Sequence, residues 1–335
     1  STPAKVQALT RVITYDNTDD DAPSTDARVV TFVLTDGDGG TSAVSTVTVT
    51  VSGSNDIPVL GSLDGDGVTF TEAGSVVNLD DGGDATVTDV DSSDLDTGTL
   101  TVTITSGGDA TDDVLAITHV GTGSGQIGLS GSNVQYEGAT IGTWADGTGG
   151  NALVVTLGAN STPAKVQALT RVVTYDNTDD DAPSTDARTV TFALSDGDGG
   201  TSAVSTVTVT VNGSNDAPVL GNLDSDGVTF TEAGSAVNLD DGGDATVTDA
   251  DGGDLDTGEL TVTITSGLDA TDDVLGITHV GTGSGQIGLS VADVQYEGVT
   301  IGTFAGGSSG SALVITLNAN STPAKVQALT RVITY

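Results

Sequence analysis

The amino-acid sequence predicts an all-β protein made of tandem β-sandwich domains, with one short helix in each repeat. Three observations predict this fold. The chain repeats itself with a period of about 160 residues. Its valines alternate with threonines at period two, as in half-buried strands. Gly, Asp, Asn and Ser interrupt these stretches at short intervals, as they do between the strands of a sandwich.

The repeat is clearest in the stretch STPAKVQALTRV, which begins at Ser1, Ser161 and Ser321. The domain boundaries are better placed by NDIPVL and NDAPVL, which follow long strands and join Asn-Asp to a proline, a linker signal. This phasing predicts three segments: the C-terminal part of one domain (1–54), a complete domain (55–214) and most of the next domain (215–335).

Within a repeat, several stretches predict strands. In STVTVTVSG, valine is expected to face inward and threonine outward. The others are RVVTFVLTDGDGG, ALVVTLGAN and ELTVTITSG. The predicted strand segments are 28–40, 45–53, 152–160 and 259–267.

The stretch STPAKVQALTRV is the exception and predicts a short helix. Ser161 or Thr162 can cap the helix, and Pro163 suits its first turn. Every Lys and Arg of the chain lies in this stretch or near it, including Lys165 and Arg188. We expect these cations to pair with aspartates of the same domain.

The charge balance excludes several classes of partner. The chain has 47 acidic residues against 8 basic ones and a net charge of −39. Binding to nucleic acid or to an anionic membrane surface depends on Lys and Arg, so neither is expected. Such a charge opposes compaction unless cations neutralise it, and the alternative is a merely soluble or salt-adapted surface.

The types of acidic residue and the absence of cysteine narrow the class of protein further. Only five of the acids are glutamate, and aspartate favours turns and hard cations. There is no cysteine, so bound metal or a large core must replace disulfides. No apolar run predicts membrane insertion, and no secretory leader pattern opens the sequence.

Oxygen-bearing side chains recur in the same clusters in each repeat. Calcium takes six to eight oxygen ligands, and a D-x-D spacing outside a helix can direct alternate carboxylates at one point. One D-x-D alone predicts only a solvated turn, whereas recurrence beside a linker favours calcium. The run Asp19–Asp21 we interpret as a solvated turn. The clusters contain Asn55, Asp56, Glu72, Asp89 and Asp91, their counterparts Asn215, Asp216, Glu232, Asp249 and Asp251, and the DGDGG acids Asp36, Asp38, Asp196 and Asp198.

These motifs together resemble cadherin-type repeats: a linker Asn-Asp-x-Pro, an early glutamate, D-x-D in a following loop and DGDGG before the last strand. The chain is most similar to the cadherin-like and VCBS-type repeats of giant bacterial RTX-type surface adhesins. The resemblance implies an immunoglobulin-like β-sandwich and Ca²⁺ bound between neighbouring repeats. It departs from the family in lacking a recognisable D-R-E motif and in its longer unit.

The resemblance also implies ligand sets. At the Asn215–Asp216 junction they are Glu72, Asp249 and Asp251, and at the Asn55–Asp56 junction they are Asp89, Asp91, Asp196 and Asp198. The matching positions Asp36, Asp38 and Glu232 belong to the same metal-ligand class.

Catalysis is not expected. His119 and His279 have no accompanying nucleophile elbow and are interpreted as strand-end histidines. A glycosidase-like role for Glu137 and Glu297 would need aromatic platforms, and aromatic residues are 3% of the chain. Trp144 is replaced by Phe304 in the next repeat, which suits core packing.

Three functions remain open. The first is a calcium-rigidified spacer in a bacterial cell-surface adhesin, outside the cell, serving adhesion or biofilm attachment. The second is a self-assembling extracellular filament, matrix or sheath in which copies pair with one another. The third is a homophilic or glycan-binding module, which would show an exposed apolar or aromatic patch.

Overall fold

The computed structural model describes residues 2–335. The chain is predominantly β, with 35% of residues in strands and 7% in three short helices, so the all-β prediction is confirmed. It divides into two compact units, Ser1–Asn212 and Gly213–Tyr335.

The first unit consists mainly of strands, with the helix α1 near its start and the helix α2 before its last three strands. Its elements are α1 (Pro3–Thr10), β1 (Arg28–Phe32), β2 (Ser45–Val49), β3 (Val59–Gly61), β4 (Gly67–Thr71), β5 (Val77–Asn78), β6 (Thr86–Thr88), β7 (Thr99–Ser106), β8 (Asp113–Ile117), β9 (Ile127–Ser130), β10 (Asn133–Tyr136), β11 (Ala139–Asp146), β12 (Leu153–Leu157), α2 (Pro163–Thr170), β13 (Val173–Asn177), β14 (Arg188–Leu194) and β15 (Ser205–Asn212).

The second unit repeats much of this order with shorter strands. Its elements are β16 (Val219–Gly221), β17 (Thr246–Thr248), β18 (Glu259–Val262), β19 (Gly276–Ile277), β20 (Ile287–Ser290), β21 (Asp293–Tyr296), β22 (Val299–Gly306), β23 (Leu313–Leu317), α3 (Pro323–Thr330) and β24 (Ile333–Thr334).

Two sheets enclose the core of the first unit. The larger has eight strands in the order β4-β15-β14-β7-β12-β11-β10-β9, and the smaller has three in the order β5-β13-β8. Their apolar side chains meet in one cluster, in which Phe70 and Tyr175 pack edge to face with ring centroids 5.7 Å apart. The strand β15 shows the expected alternation, with its valines buried and its threonines at least partly exposed.

Strand β4 joins the large sheet in a parallel pairing with β15. The register runs over five residue pairs, from Gly67 opposite Thr208 to Thr71 opposite Asn212. The other pairings in this sheet are antiparallel.

The predicted helix is confirmed in all three copies. Thr162 occupies the N-cap position of α2 with an extended backbone, but its side chain makes no capping hydrogen bond, and Pro163 lies in the first turn. The Ser161 hydroxyl instead donates to the carbonyl of Gly158. Each helix is eight residues long, and no helix within residues 2–335 is long and apolar enough to cross a membrane.

The prediction that cations pair with aspartates is correct for one arginine of the complete repeat. Arg188 and Asp113 form an ion pair at 3.1 Å, and both side chains are buried. Lys165 instead donates to the carbonyl of Asn160, and Arg171 donates to the carbonyl of Ala85. These two basic side chains therefore satisfy backbone acceptors and do not neutralise carboxylates.

The buried ion pair is part of a larger polar network. The Asp113 carboxylate also accepts hydrogen bonds from the Tyr175 hydroxyl, the Asn177 amide and the backbone N–H of Asp109. Burial alone would raise the pKa of Asp113, but the bonds from Arg188 and Tyr175 outweigh it and hold the pKa below its ordinary value. Asp113 therefore stays ionised inside the protein.

All four predicted strand segments are longer than the strands found, since β2 and β12 end at Val49 and Leu157 although their patterns extend to residues 53 and 160. Strand β1 ends at Phe32 although the alternating pattern extends to residue 40, and β18 ends at Val262 although its pattern extends to residue 267. The matching strands β14 and β7 of the first unit reach Leu194 and Ser106. Since β14 pairs with β7 there, each keeps its full length only beside the other.

Candidate metal centre at the domain linker

The linker Asn55–Asp56 lies against the acidic loops that sequence analysis associated with it. The Asn55 amide donates to Oδ2 of Asp196 at 2.8 Å, across 141 residues of chain. The backbone N–H of Asp56 donates to Oδ2 of Asp91 at 3.2 Å. Thus Asn55, Asp56, Asp91 and Asp196 are brought together by direct contacts.

Two carboxylate oxygens at this linker are buried without a partner among the described residues. They are Oδ2 of Asp56 and Oδ2 of Asp89. A buried charged oxygen that gives up water without a replacement is strongly unfavourable. The arrangement therefore leaves a requirement for a positive ligand or a proton.

The electrostatics of Asp89 point the same way. Burial and the neighbouring carboxylate of Asp91 raise the pKa of Asp89, although the backbone N–H of Ser92 opposes the shift. Two carboxylates at close range disfavour each other's ionisation unless a cation is shared between them. A shared cation or a proton on Asp89 would relieve this repulsion.

A cavity of about 370 Å³ opens beside these carboxylates. Asp56 and Asp89 line it, and so does Asp21, which lies in the run interpreted from sequence as a solvated turn. Sequence reasoning missed Asp21 because no local motif distinguishes it from Asp19 and Asp20. Asp21 differs from its two neighbours only in its position in the fold relative to the following linker.

Asp196 has a supporting position in the cluster. Its Oδ1 accepts backbone N–H groups from Asp198, Gly199 and Gly200 at 2.8, 3.0 and 2.9 Å, and its side chain is fully buried. Burial would raise its pKa, but the Asn55 amide and these N–H groups lower it overall. Asp196 therefore holds the DGDGG turn and the linker together as a permanent anion, while the Asp198 side chain is exposed.

The same turn in residues 1–54 lacks a linker partner within the described chain. Oδ1 of Asp36 accepts the backbone N–H groups of Asp38 and Gly40, and both acids are exposed. Those two N–H groups lower the pKa of Asp36. The turn forms by itself, and the contact with a linker asparagine is a separate event.

Glu72 lies just after β4 and is 4% exposed. Its backbone N–H donates to the carbonyl of Asn212, the last residue of β15. The predicted ligand of the second junction is thus buried at the end of the strand from which that linker continues.

The second unit repeats part of the first linker's pattern. The Asn215 amide donates to the carbonyl of Asp216, as that of Asn55 does to Asp56. Oδ1 of Asp249 is buried without a partner in the described residues. Asp251 and Glu232 are exposed.

The carboxylates surround the linker without forming a closed set of ligands. Within residues 2–335, no group of three or more His, Asp or Glu side chains has the arrangement of a finished metal site. The residues nevertheless suit a hard cation, because they offer only oxygen donors and include orphaned buried carboxylate oxygens.

The residues considered for catalysis have local structural contacts. Nδ1 of His119 accepts the backbone N–H of Leu129 at 2.8 Å, and His279 repeats this with Leu289. Both histidines follow a strand, as expected. Oε1 of Glu137 accepts the backbone N–H of Gly125, and Glu297 does the same in the second unit.

Comparison with known proteins adds no relative: no family model and no curated protein matches the chain.

Proposed function

We propose that the chain is a segment of an extracellular, calcium-stiffened array whose repeats act as spacers in a bacterial surface adhesin. The proposal joins the sequence resemblance to cadherin-like repeats with the geometry of the Asn55–Asp56 linker. The observation that carries it is the pair of partnerless buried oxygens on Asp56 and Asp89, next to Asp91.

Calcium suits this linker better than a proton does. A single proton on Asp89 would relieve one repulsion and leave the Asp56 oxygen unsatisfied, whereas a divalent ion can serve several oxygens at once. Asp56, Asp89 and Asp91 would hold the ion, and Asp21 could add a carboxylate from the preceding segment. When bound, calcium supplies positive charge and fixes the oxygens around it.

The spacer role follows from what the ion would connect. Asp21 precedes the linker by a long stretch of chain, whereas Asp89 and Asp91 follow it. The linker Gly53–Asp56 is polar and has little apolar surface to hold it in one conformation. An ion shared across it would stiffen the connection between repeats, and the charge of −39 would be partly neutralised at each junction.

The test measures calcium binding by the full chain with titration calorimetry. It also compares the thermal melting of the chain in calcium with its melting in excess chelator. Ligand binding to the folded state raises stability by about 2.7 kcal/mol at a hundredfold excess over Kd. We expect calcium to raise the melting temperature and to slow hydrogen exchange at Ser54–Ile57. An unchanged melting temperature and no binding heat would refute the proposal.

A matched pair of variants locates the ion. Asp89→Asn with Asp91→Asn removes two charges at the linker, and Asp94→Asn with Asp96→Asn removes two at the same spacing in the same loop. Oδ1 of Asp94 accepts the N–H of Asp96, as an isolated turn does. Only the first variant should lose calcium binding and linker protection. Equal losses in both would assign the effect to overall charge and contradict a specific site.

A further inference from the structure

Asn55 connects the start of the complete repeat to the turn between its last two strands. Its amide nitrogen donates to Oδ2 of Asp196 at 2.8 Å and to the carbonyl of Asp56 at 2.9 Å. A side-chain amide has two N–H donors, and these two contacts use both of them. Asn55 therefore acts through its donors, although sequence analysis grouped it with the metal ligands.

The carboxylate of Asp196 is already occupied by protein donors. Its Oδ1 accepts the backbone N–H groups of Asp198, Gly199 and Gly200, and its Oδ2 accepts the Asn55 amide. The side chain is also fully buried. A cation bound here would have to displace these donors, so Asp196 serves the linker through Asn55 and is not one of the oxygens free to hold an ion.

The backbone at Gly200 is fitted to this contact. A Cβ atom at Gly200 would overlap Oδ2 of Asp196, and it would lie 2.9 Å from both the Asn55 amide nitrogen and the carbonyl oxygen of Asp56. Glycine has no Cβ, so it allows this close approach. The turn and the linker therefore meet at a position that excludes every other side chain.

A second contact fixes the next residue of the linker. The backbone N–H of Asp56 donates to Oδ2 of Asp91 at 3.2 Å, so the linker is bound both by the turn that holds Asp196 and by the loop after β6. With the linker in this position, Asp56 and Asp89 line one cavity. Each has an Oδ2 atom without a partner among the described residues.

We infer that Asn55 is a positioning residue: by donating to Asp196 it holds Asp56 where the carboxylates of Asp56 and Asp89 can share a cation. The position requires a neutral amide donor and not a further oxygen ligand. The effect on calcium rests on the proposed function. The contact between Asn55 and Asp196 consists of protein groups alone, so it is tested separately without calcium.

The strength of ion binding depends on this contact because little else holds the linker. The linker sequence GSND (residues 53–56) contains no apolar side chain. If the linker occupies the bound position in only a fraction of the molecules, the apparent Kd rises by the inverse of that fraction. A hydrogen bond from an amide to a carboxylate is charge-assisted and is about twice as strong as a neutral one. Its loss should therefore displace the linker in most molecules.

Asn55→Asp distinguishes a positioning residue from a ligand. The substitution keeps the shape of the side chain and adds an anionic oxygen, so a ligand at this place would bind calcium more tightly. A positioning residue loses both N–H donors and places a second carboxylate against Asp196, so calcium binding weakens. Asn133→Asp is the matched control, because Asn133 is exposed and the next repeat carries Asp293 at this position.

The first experiment follows hydrogen exchange of residues 54–57 in the full chain as calcium is added. We expect Asn55→Asp to raise the calcium concentration for half protection at least about tenfold, and Asn133→Asp to change it less than about twofold. Asn55→Asp combined with Asp196→Asn keeps the parent's net charge and supplies the amide donor from the other side, so it should recover part of the loss. Equal or tighter binding by Asn55→Asp overturns the inference, and so does an equal loss in both single variants.

The second experiment measures thermal melting of the same full-length variants in excess chelator. Because the contact needs no ion, we expect Asn55→Asp to melt at least about 3 °C below Asn133→Asp, with the double variant between them. Equal melting of the two single variants overturns the contact, whatever calcium does. A parent chain that binds no calcium refutes the proposed function, and with it the role of Asn55 in ion binding, even where the melting difference is found.

Discussion

Replacing Arg188 by methionine tests whether the buried ion pair stabilises the complete repeat. Methionine keeps much of the side-chain volume but removes the guanidinium, which contacts the Asp113 carboxylate at 3.1–3.3 Å. It also removes the donors to the carbonyls of Ser184 and Asp186. Asp113 then remains as a buried anion without its cation.

The magnitude follows from what still contacts Asp113. Breaking a buried pair from one side costs about 3–5 kcal/mol. Because Tyr175, Asn177 and the N–H of Asp109 still donate to the carboxylate, we expect the lower end, about 3 kcal/mol. For a domain of this size, 1 kcal/mol shifts the melting temperature by about 2–4 °C, so the shift should be about 6–12 °C.

The control is Arg171→Met in the same repeat. Arg171 is half-buried and donates to one neutral carbonyl, that of Ala85 at 2.9 Å. Its loss should cost about 1 kcal/mol. Differential scanning calorimetry of both full-length variants measures the two shifts. If Arg188→Met melts within a degree or two of Arg171→Met, the reasoning that the buried charge dominates is wrong.

Three further predictions concern the same repeat. The lowered pKa of Asp113 contributes stability that is present above the ordinary aspartate pKa and is lost as pH falls through the folded-state pKa. Asp113→Asn should therefore weaken the fall in the free energy of unfolding at acid pH, measured by urea denaturation at a series of pH values. An unchanged dependence on pH would contradict this prediction. Gly197→Ala should lower the melting temperature more than Gly199→Ala, because both have positive φ but only the first would place its Cβ 1.9 Å from the carbonyl oxygen of Asp96; equal melting shifts would count against the steric argument. Trp144→Phe should change the free energy of unfolding by less than about 1 kcal/mol, because it removes a buried indole N–H that has no partner in the described residues. The next repeat already carries Phe304 at this position. A large loss of stability in chemical denaturation would show that the packing of the indole dominates.

Local patterns predicted the helix and a few of the strand segments, and left most of the short strands, β8 to β11 among them, unassigned. In β15 the Val-Thr alternation alone assigns each side chain to a face, and in α2 the proline and the threonine before it mark the first turn. The same sequence patterns overestimated β1 and β18. Strand length there depends on a neighbouring strand from a distant part of the chain, which period-two alternation does not report.

The candidate site was predictable as a set of motifs and not as a set of contacts. The acids of D-x-D and DGDGG are visible in the sequence, and Asp91 and Asp196 do contact the linker. The motif does not show that the oxygens of Asp196 bind the backbone of its own turn and the Asn55 amide, because these contacts depend on the three-dimensional fold. The pairing of Arg188 with Asp113 likewise joins residues that are 75 positions apart in the sequence.

The parallel pairing of β4 with β15 has a mechanical consequence. In this pair the chain enters at one end of the first strand and leaves at the opposite end of the last, so tension on the two linkers pulls the strands lengthwise past each other. The interstrand hydrogen bonds along the five registered residue pairs then bear the load together and do not open one after another, as they would in an antiparallel pair pulled from one end. A repeat connected in this way resists extension by shear between β4 and β15, whatever ion the linker binds.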